Sequence, residues 1–407
     1  MNILLLGNGY DLHYKLPTSY HNFLLTLDFL IHSNIKNINN VGDVFGNSKL
    51  NKQDDCIKSS YELYKDVYDK VKLDQEKLQE MIDRTKNNVW FTYLIKSFNK
   101  DVGWIDFEKE IAYIIDCFKR FFQIASVNFS NNSKQLFLEI KNELANDKEL
   151  KYIILKMFNF FLHPDCLSYG TIKSEYTCEY PLKSGNFTID KKKIVDYLYS
   201  QLRDLAEVLK TYLHLFIDKT TELLCAPSSE ESSKQPKISQ INILNNYQVV
   251  ITFNYTHTYE LLSKNVDNLF HIHGEIDKEI VLGVNSDKND KKETVDTSFL
   301  RFKKYYQRTY YETDCSYLSW IRAFREKMKK YNDETVSENI KLSIMGHSLD
   351  VTDENCIREL FGLATSIMVF HHDDTAKKQH IENLVNIFGN DEFEKLRIEK
   401  QLSFVNL

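Results

Sequence analysis

The chain lacks a positive charge balance. Its 52 lysines and arginines are outnumbered by 58 acids, for a net charge of −6. That argues against a protein wrapped in nucleic acid by bulk electrostatics, although a local basic groove stays open. The chain also lacks paired cysteine motifs. Seven cysteines, at 56, 117, 166, 178, 225, 315 and 356, are odd in number and never spaced C-x-x-C. This excludes a zinc ribbon, argues against a disulfide framework, and fits reduced thiols in a cytosol. No apolar run approaches the roughly 18 residues that a membrane span needs. The apolar start, Ile3 to Leu6, has no basic residue ahead of it, so no signal peptide is expected.

What is present is ample core material. Of 407 residues, 43% are hydrophobic, with 26 Phe and 24 Tyr among them. That is enough for one large domain or two to three ordinary ones. "NILLLG" (2–7) reads as a short strand buried on both faces, as in a covered parallel sheet. Residues 18–33 read as a helix with Thr18 or Ser19 as cap. Residues 34–60, rich in Asn, Lys and Asp, read as loops.

From 61 to 224 the pattern is almost wholly helical. In "FEKEIAYIIDCFKRFF" (107–122), Phe107, Ile111, Ile114, Ile115 and Phe118 recur at helical spacing, which marks core. Residues 164–190 read as loop or hairpin. "APSSEESSKQPK" (226–237) is the most linker-like stretch.

Beyond residue 246 strands return. "YQVVITFNYT", "NLFHIHG" (268–274), "EIVLGVNSD" (279–287), "IKLSIMGHSLD" (340–350), "SIMVF" (366–370) and residues 402–405 are the candidates. The economical arrangement is one α/β sheet interrupted by a large helical insertion. Residues 1–33 and 241–407 would form the sheet domain, and 34–240 the insertion.

Four strand tips carry unusual chemistry. They are Gly7-Asn8-Gly9-Tyr10-Asp11, Thr252-Phe253-Asn254-Tyr255-Thr256, His271-Ile272-His273-Gly274 and Gly346-His347-Ser348-Leu349-Asp350. In open α/β sheets, ligands sit beyond the carboxyl ends of the strands, so four such tips suggest a shared pocket. Gly7 and Gly9 would let a ligand's phosphates approach the backbone. The third position of G-x-G-x-x-G is Leu12, however, so a plain tight turn competes with nucleotide binding.

Asp11 would be repelled by phosphate. It suits ribose hydroxyls, or a local turn. Asn254 can orient a water or a hydroxyl, or start an Asx-turn. His271 and His273 stand two apart and would face one side of a strand. With no third ligand in view, a single neutral imidazole acting as base is the better reading, and no metal is expected. "FHHDDTAKK" (370–378) reads as a strand end followed by Asp caps. "RFKKYYQRTYY" (301–311) reads as a solvated helix face, or less readily as a phosphate or nucleic-acid groove. Asp106 and Glu108 read as helix capping, and Thr352 or Asp353 as another cap.

"GNGYDLHYKLPTSYHNFL" resembles the opening of the AbiH family of phage abortive-infection proteins, in which G-N-G-[FY]-D-L is followed by L-P-T-x-Y and F-L. "TFNYT", "HIHG" and "GHSLDVTD" resemble that family's later blocks. Lys15 departs from the small residue expected before Leu16-Pro17. The resemblance covers both ends of the chain and hardly touches the middle. It implies a Rossmann-like, sirtuin-like fold that handles NAD.

On that likeness, Gly7, Gly9 and Asp11 would line the dinucleotide, and Asn254 and His273 would stand at the nicotinamide ribose. Asn8, Thr252 and Gly274 would be further cofactor-binding residues. Gly346, Ser348 and Leu349 would hold the adenosine half. The sirtuin zinc ribbon is missing, which argues against protein deacylation. The leading expectation is a cytoplasmic effector that hydrolyses NAD at the nicotinamide–ribose bond through Asn254, His273 and Asp11. A nucleotide sensor without turnover is the second reading, its helical insertion recognising a phage component or partner. A metal-dependent nucleic-acid effector is the third. Self-association through the insertion is also open.

Overall fold

The computed structural model describes residues 1–98, 106–166, 168–226, 247–263, 268–285, 297–313, 316–330, 339–399 and 401–407. All of the linker-like stretch except Ala226 lies outside the described residues, as does the 240/241 boundary.

Six strands form one parallel sheet. They are β1 (Asn2–Leu6), β2 (Val249–Thr252), β3 (Leu269–His271), β4 (Lys341–Met345), β5 (Ser366–His371) and β6 (Ser403–Asn406). Their order across the sheet is 3-2-1-4-5-6. β1 is central, with Leu4 opposite Val250 on one side and Ser343 on the other. The order reverses between β1 and β4. Every strand is parallel, so all six carboxyl ends share one edge.

The apolar run of β1 follows from burial on both faces. Ile3 and Leu5 join Val249, Ile251, Leu342, Ile344, Ile367 and Val369 in one core. Leu4 and Leu6 point the other way, to Tyr10, Val250, Met345 and Phe370. The strand's period of two divides one sequence run between two cores.

"EIVLGVNSD" departs from expectation. Ile280, Val281, Leu282 and Val284 are buried, but residues 279–285 make only isolated bridges, to Gly274 and Lys303. The run is apolar because it is buried, not because it is paired. Residues 34–60 also differ, forming the short helices Val41–Phe45 and Ser48–Asn51 and the start of Asp55–Tyr68. Asn40, Asn47 and Asp54 accept backbone N–H bonds at their starts. The polar residues that suggested loops are helix caps.

The chain divides into two compact units. One comprises Met1–Met81, Leu209–Val281 and Gln307–Leu407 and holds the whole sheet. The other comprises Ile82–Val208 and Leu282–Tyr306. The second has its own aromatic core, built on helix Phe107–Val127 with Phe118, Phe158 and Phe160 in mutual ring contact. Asp106 caps that helix. Residues 161–162 pair with 171–172, and 177–179 with 187–189, as two small antiparallel ladders.

Candidate functional site

The site residues all lie in the first unit, at the carboxyl edge of the sheet. At the β1–β4 junction the two tips meet backbone to backbone. Gly7 N–H donates to the Met345 carbonyl at 3.1 Å, and Gly9 N–H to the Gly346 carbonyl at 2.8 Å. A Cβ on Gly9 would stand 2.7 Å from Gly346 Cα. One on Gly346, whose φ is +70°, would stand 2.1 Å from the Tyr10 nitrogen. These glycines are demanded by close packing, and the Gly7 and Gly9 amides are engaged inside the protein. Asn8 and Ser348 are exposed on the two tips, whereas the Leu349 side chain is fully buried in the sheet core.

At the β1–β2 junction side chains meet instead. Asp11 has no exposed surface. Its Oδ2 accepts from the Thr256 hydroxyl at 2.6 Å, and its Oδ1 from Asn254 Nδ2 at 3.3 Å. Burial pushes the carboxyl up to about 7, with the Thr256 hydroxyl pulling the other way and Asp218 and Glu260 adding to the rise. Thr252 positions Asn254 by accepting its backbone N–H at 3.0 Å. The other end of the Asn254 amide, Oδ1, is buried with no hydrogen-bond partner among the described residues.

His273 lies edge-on to Phe253, with ring centroids 4.8 Å apart, and its Nε2 is 3.4 Å from an Asp353 oxygen. Asp353 also approaches His347 Nε2, at 3.6 Å. Gly274, at φ +79°, begins the turn that brings Ile280 back beside it. β3 ends at His271, so the alternation that would align His271 with His273 stops there. His271 instead reaches the Asn254 carbonyl at 2.9 Å and Glu260 at 2.7 Å.

Beside this lies a group that motif reading missed. His257 Nδ1 is 2.8 Å from Asp218, and its Nε2 3.2 Å from Glu275. The Asp218 hydrogen bond raises the His257 imidazole to about 9 against the opposing effect of burial. A signal existed, since His257 and Glu260 are three residues apart and Glu275 directly follows the H-I-H-G block. Of the two expected caps, Thr352 and Asp353, it is Asp353 that stands at the N-cap position. It makes no cap hydrogen bond to helix Glu354–Leu363.

Two further expectations are corrected or refined. Lys303, Lys304 and Arg308 are buried, whereas Tyr305, Thr309 and Tyr310 are exposed, so the solvated face of "RFKKYYQRTYY" is not the basic one. Lys304 pairs with Glu108 at 2.6 Å, and Lys303 Nζ donates to the Asn285 carbonyl. In "FHHDDTAKK", Asp373 caps helix Asp374–Phe388 by accepting from Ala376 N–H.

The fold and the site together define a parallel α/β protein with a buried polar cluster at the carboxyl edge of its sheet. Residues 3–371 match the family described as bacteriophage abortive infection AbiH, and the chain belongs to that family. Membership ties it to a role in phage abortive infection. No curated protein and no solved structure shows significant similarity to it. Among the described residues, no helix is long and apolar enough to cross a membrane.

Proposed function

We propose that this chain is a cytoplasmic abortive-infection effector that binds NAD at the carboxyl edge of a Rossmann-like sheet and hydrolyses its nicotinamide–ribose bond. The observation that carries the reading is the buried Asn254 Oδ1, without a hydrogen-bond partner among the described residues, beside the buried Asp11 carboxyl. Buried polar atoms without partners are rare, and this one fits a ligand hydroxyl or an ordered water. The parallel sheet supports a ligand at this edge, because open α/β sheets bind ligands beyond the carboxyl ends of their strands. The polar cluster lies on the β2 side of β1, next to the β1–β4 reversal.

The residues divide the work in the following way. Asn254 holds a ribose hydroxyl or the attacking water. Asp11, ionised in part near neutral pH, steadies the positive charge that develops at C1′. The C1′–N bond breaks and its electron pair leaves with nicotinamide, which departs neutral and needs no acid. Water oxygen bonds to C1′. Its proton passes to His273, whose imidazolium is stabilised by Asp353. Asn8 and Ser348 are the exposed side chains available to the adenosine half. Leu349 contributes only through its backbone.

The test is nicotinamide release from NAD, followed by chromatography, for the parent protein and for Asn254→Ala and His273→Ala. The parent should turn over, and each variant should lose about 100-fold or more. Undiminished release by both variants would overturn the site. A rise in melting temperature with NAD but no release, even with phage lysate added, would favour a sensor over an enzyme.

A further inference from the structure

The cluster around His257 has a separate chemistry. One ring nitrogen of His257 and one carboxylate oxygen each of Glu260 and Glu275 lie within 4.8 Å of one another. Ligand atoms about 2.0–2.2 Å from a common ion sit roughly 3–4 Å apart, so small side-chain rotations would close the set.

Two of the three candidate ligands are also backed from behind. Asp218, almost fully buried, faces His257 Nδ1 at 2.8 Å and accepts the His257 backbone N–H with its other oxygen. That leaves Nε2 toward Glu275. Carboxylate–histidine pairs of this kind orient metal-binding imidazoles. Glu260 is held through one oxygen by His271, itself anchored on the Asn254 carbonyl. The other Glu260 oxygen, Oε2, is buried and has no partner among the described residues. A solvent-shielded carboxylate oxygen left bare is costly, and a cation would satisfy it.

We infer that the chain binds one divalent transition-metal ion between His257, Glu260 and Glu275, with Asp218 and His271 as positioning residues. The imidazole ligand favours an ion such as Zn²⁺ or Mn²⁺ over Mg²⁺ or Ca²⁺. The inference is independent of the nucleotide reading. Its test needs neither NAD nor turnover.

Full-length protein stripped with chelator is dialysed against Mn²⁺ or Zn²⁺, and bound metal is measured by mass spectrometry alongside the melting temperature. The parent should retain about one equivalent and gain thermal stability, and excess Mg²⁺ should not displace the ion. Glu260→Gln and Asp218→Asn should each weaken binding about 10- to 100-fold, and His257→Ala should abolish it. His32→Ala, at a histidine exposed over 73% of its side chain, should leave it intact. Should His257→Ala fail to fold, Glu260→Gln keeps the ligand shape and decides the question. Uptake well below one equivalent by the parent, or equal affinity in Glu260→Gln, would overturn the site.

Discussion

On the β4 side of β1 the strand tips touch through backbone alone, with Gly7 and Gly9 laid against Gly346 and His347. On the β2 side the tips touch through side chains, with Asp11 against Asn254 and Thr256. One strand thus ends in two kinds of junction. The first has no room for a Cβ. The second has buried polar atoms, one of which lacks a partner among the described residues. A glycine-edged turn after a first strand is therefore no sufficient mark of a phosphate cradle. Here the glycines close the sheet, and the buried polar cluster lies one strand over.

The largest effect that would break this comparison is at the backbone junction. In Gly346→Ala a methyl group would stand 2.1 Å from the Tyr10 nitrogen, on a backbone with φ +70°. Neither strand tip can move without disturbing the sheet. The expected loss is about 5 kcal/mol or more, seen as insoluble protein or a collapsed melting temperature. Normal stability in this variant would show that the tips are not packed as described.

Next comes the side-chain junction, which should respond to pH. Burial lifts Asp11 from 3.8 to about 7 in the folded chain. The folded state therefore holds this proton more tightly than the unfolded state does. The stability it contributes is fully present below pH 3.8 and is lost as pH rises through 7. Asp11→Asn keeps the shape and removes the titration. Its stability relative to the parent should climb by up to about 4 kcal/mol between pH 4 and 8. Melting curves of both proteins across that range check it. A constant difference would mean that Asp11 is not buried as described.

Much of the sheet was legible because its strands are apolar on both faces, so a short run such as Ile3–Leu6 announces itself. The strand-tip residues were legible one by one for the same reason, since each follows an apolar run. Their partners were not. Asp11 meets Asn254 across 243 positions, and no local spacing encodes that pairing. The cluster of His257, Glu260 and Glu275, with Asp218 behind it, is drawn from separate segments and escapes motif reading on the same ground. Lys303, Lys304 and Arg308 misled because charge suggests exposure, while tertiary partners such as Glu108 override it. Asn40, Asn47 and Asp54 misled because caps and loops draw on the same residue types.

A smaller change sharpens the side-chain junction. Thr256→Val removes the hydroxyl that donates to Asp11 Oδ2 at 2.6 Å. A hydrogen bond to a charged acceptor contributes about 1.5–3 kcal/mol, one to a neutral acceptor about 1. The loss should therefore be greater at pH 8, where Asp11 is ionised, than at pH 5. In the Asp11→Asn background the pH dependence of the loss should vanish. Denaturation midpoints of the four proteins at both pH values complete the cycle.

The smallest effect concerns the segment that leads away from both junctions. Lys15 is the residue that departs from the AbiH-like opening pattern, and it adopts φ +59°. Its backbone N–H donates to the Leu12 carbonyl at 2.9 Å, closing the short helix that carries Asp11. The side chain is exposed, so little packing is at stake. A left-handed conformation costs a non-glycine residue about 1–2 kcal/mol, and glycine escapes that cost while giving back part of it as chain entropy in the unfolded state. Lys15→Gly should therefore stabilise the protein by about 0.5 kcal/mol, a rise of a degree or so in melting temperature. Lys15→Val should do the reverse, because a β-branched side chain tolerates this conformation least. If both variants melt with the parent, the turn after Asp11 is relaxed, and Asp11 is held by Thr256 and Asn254 rather than by the helix it sits on.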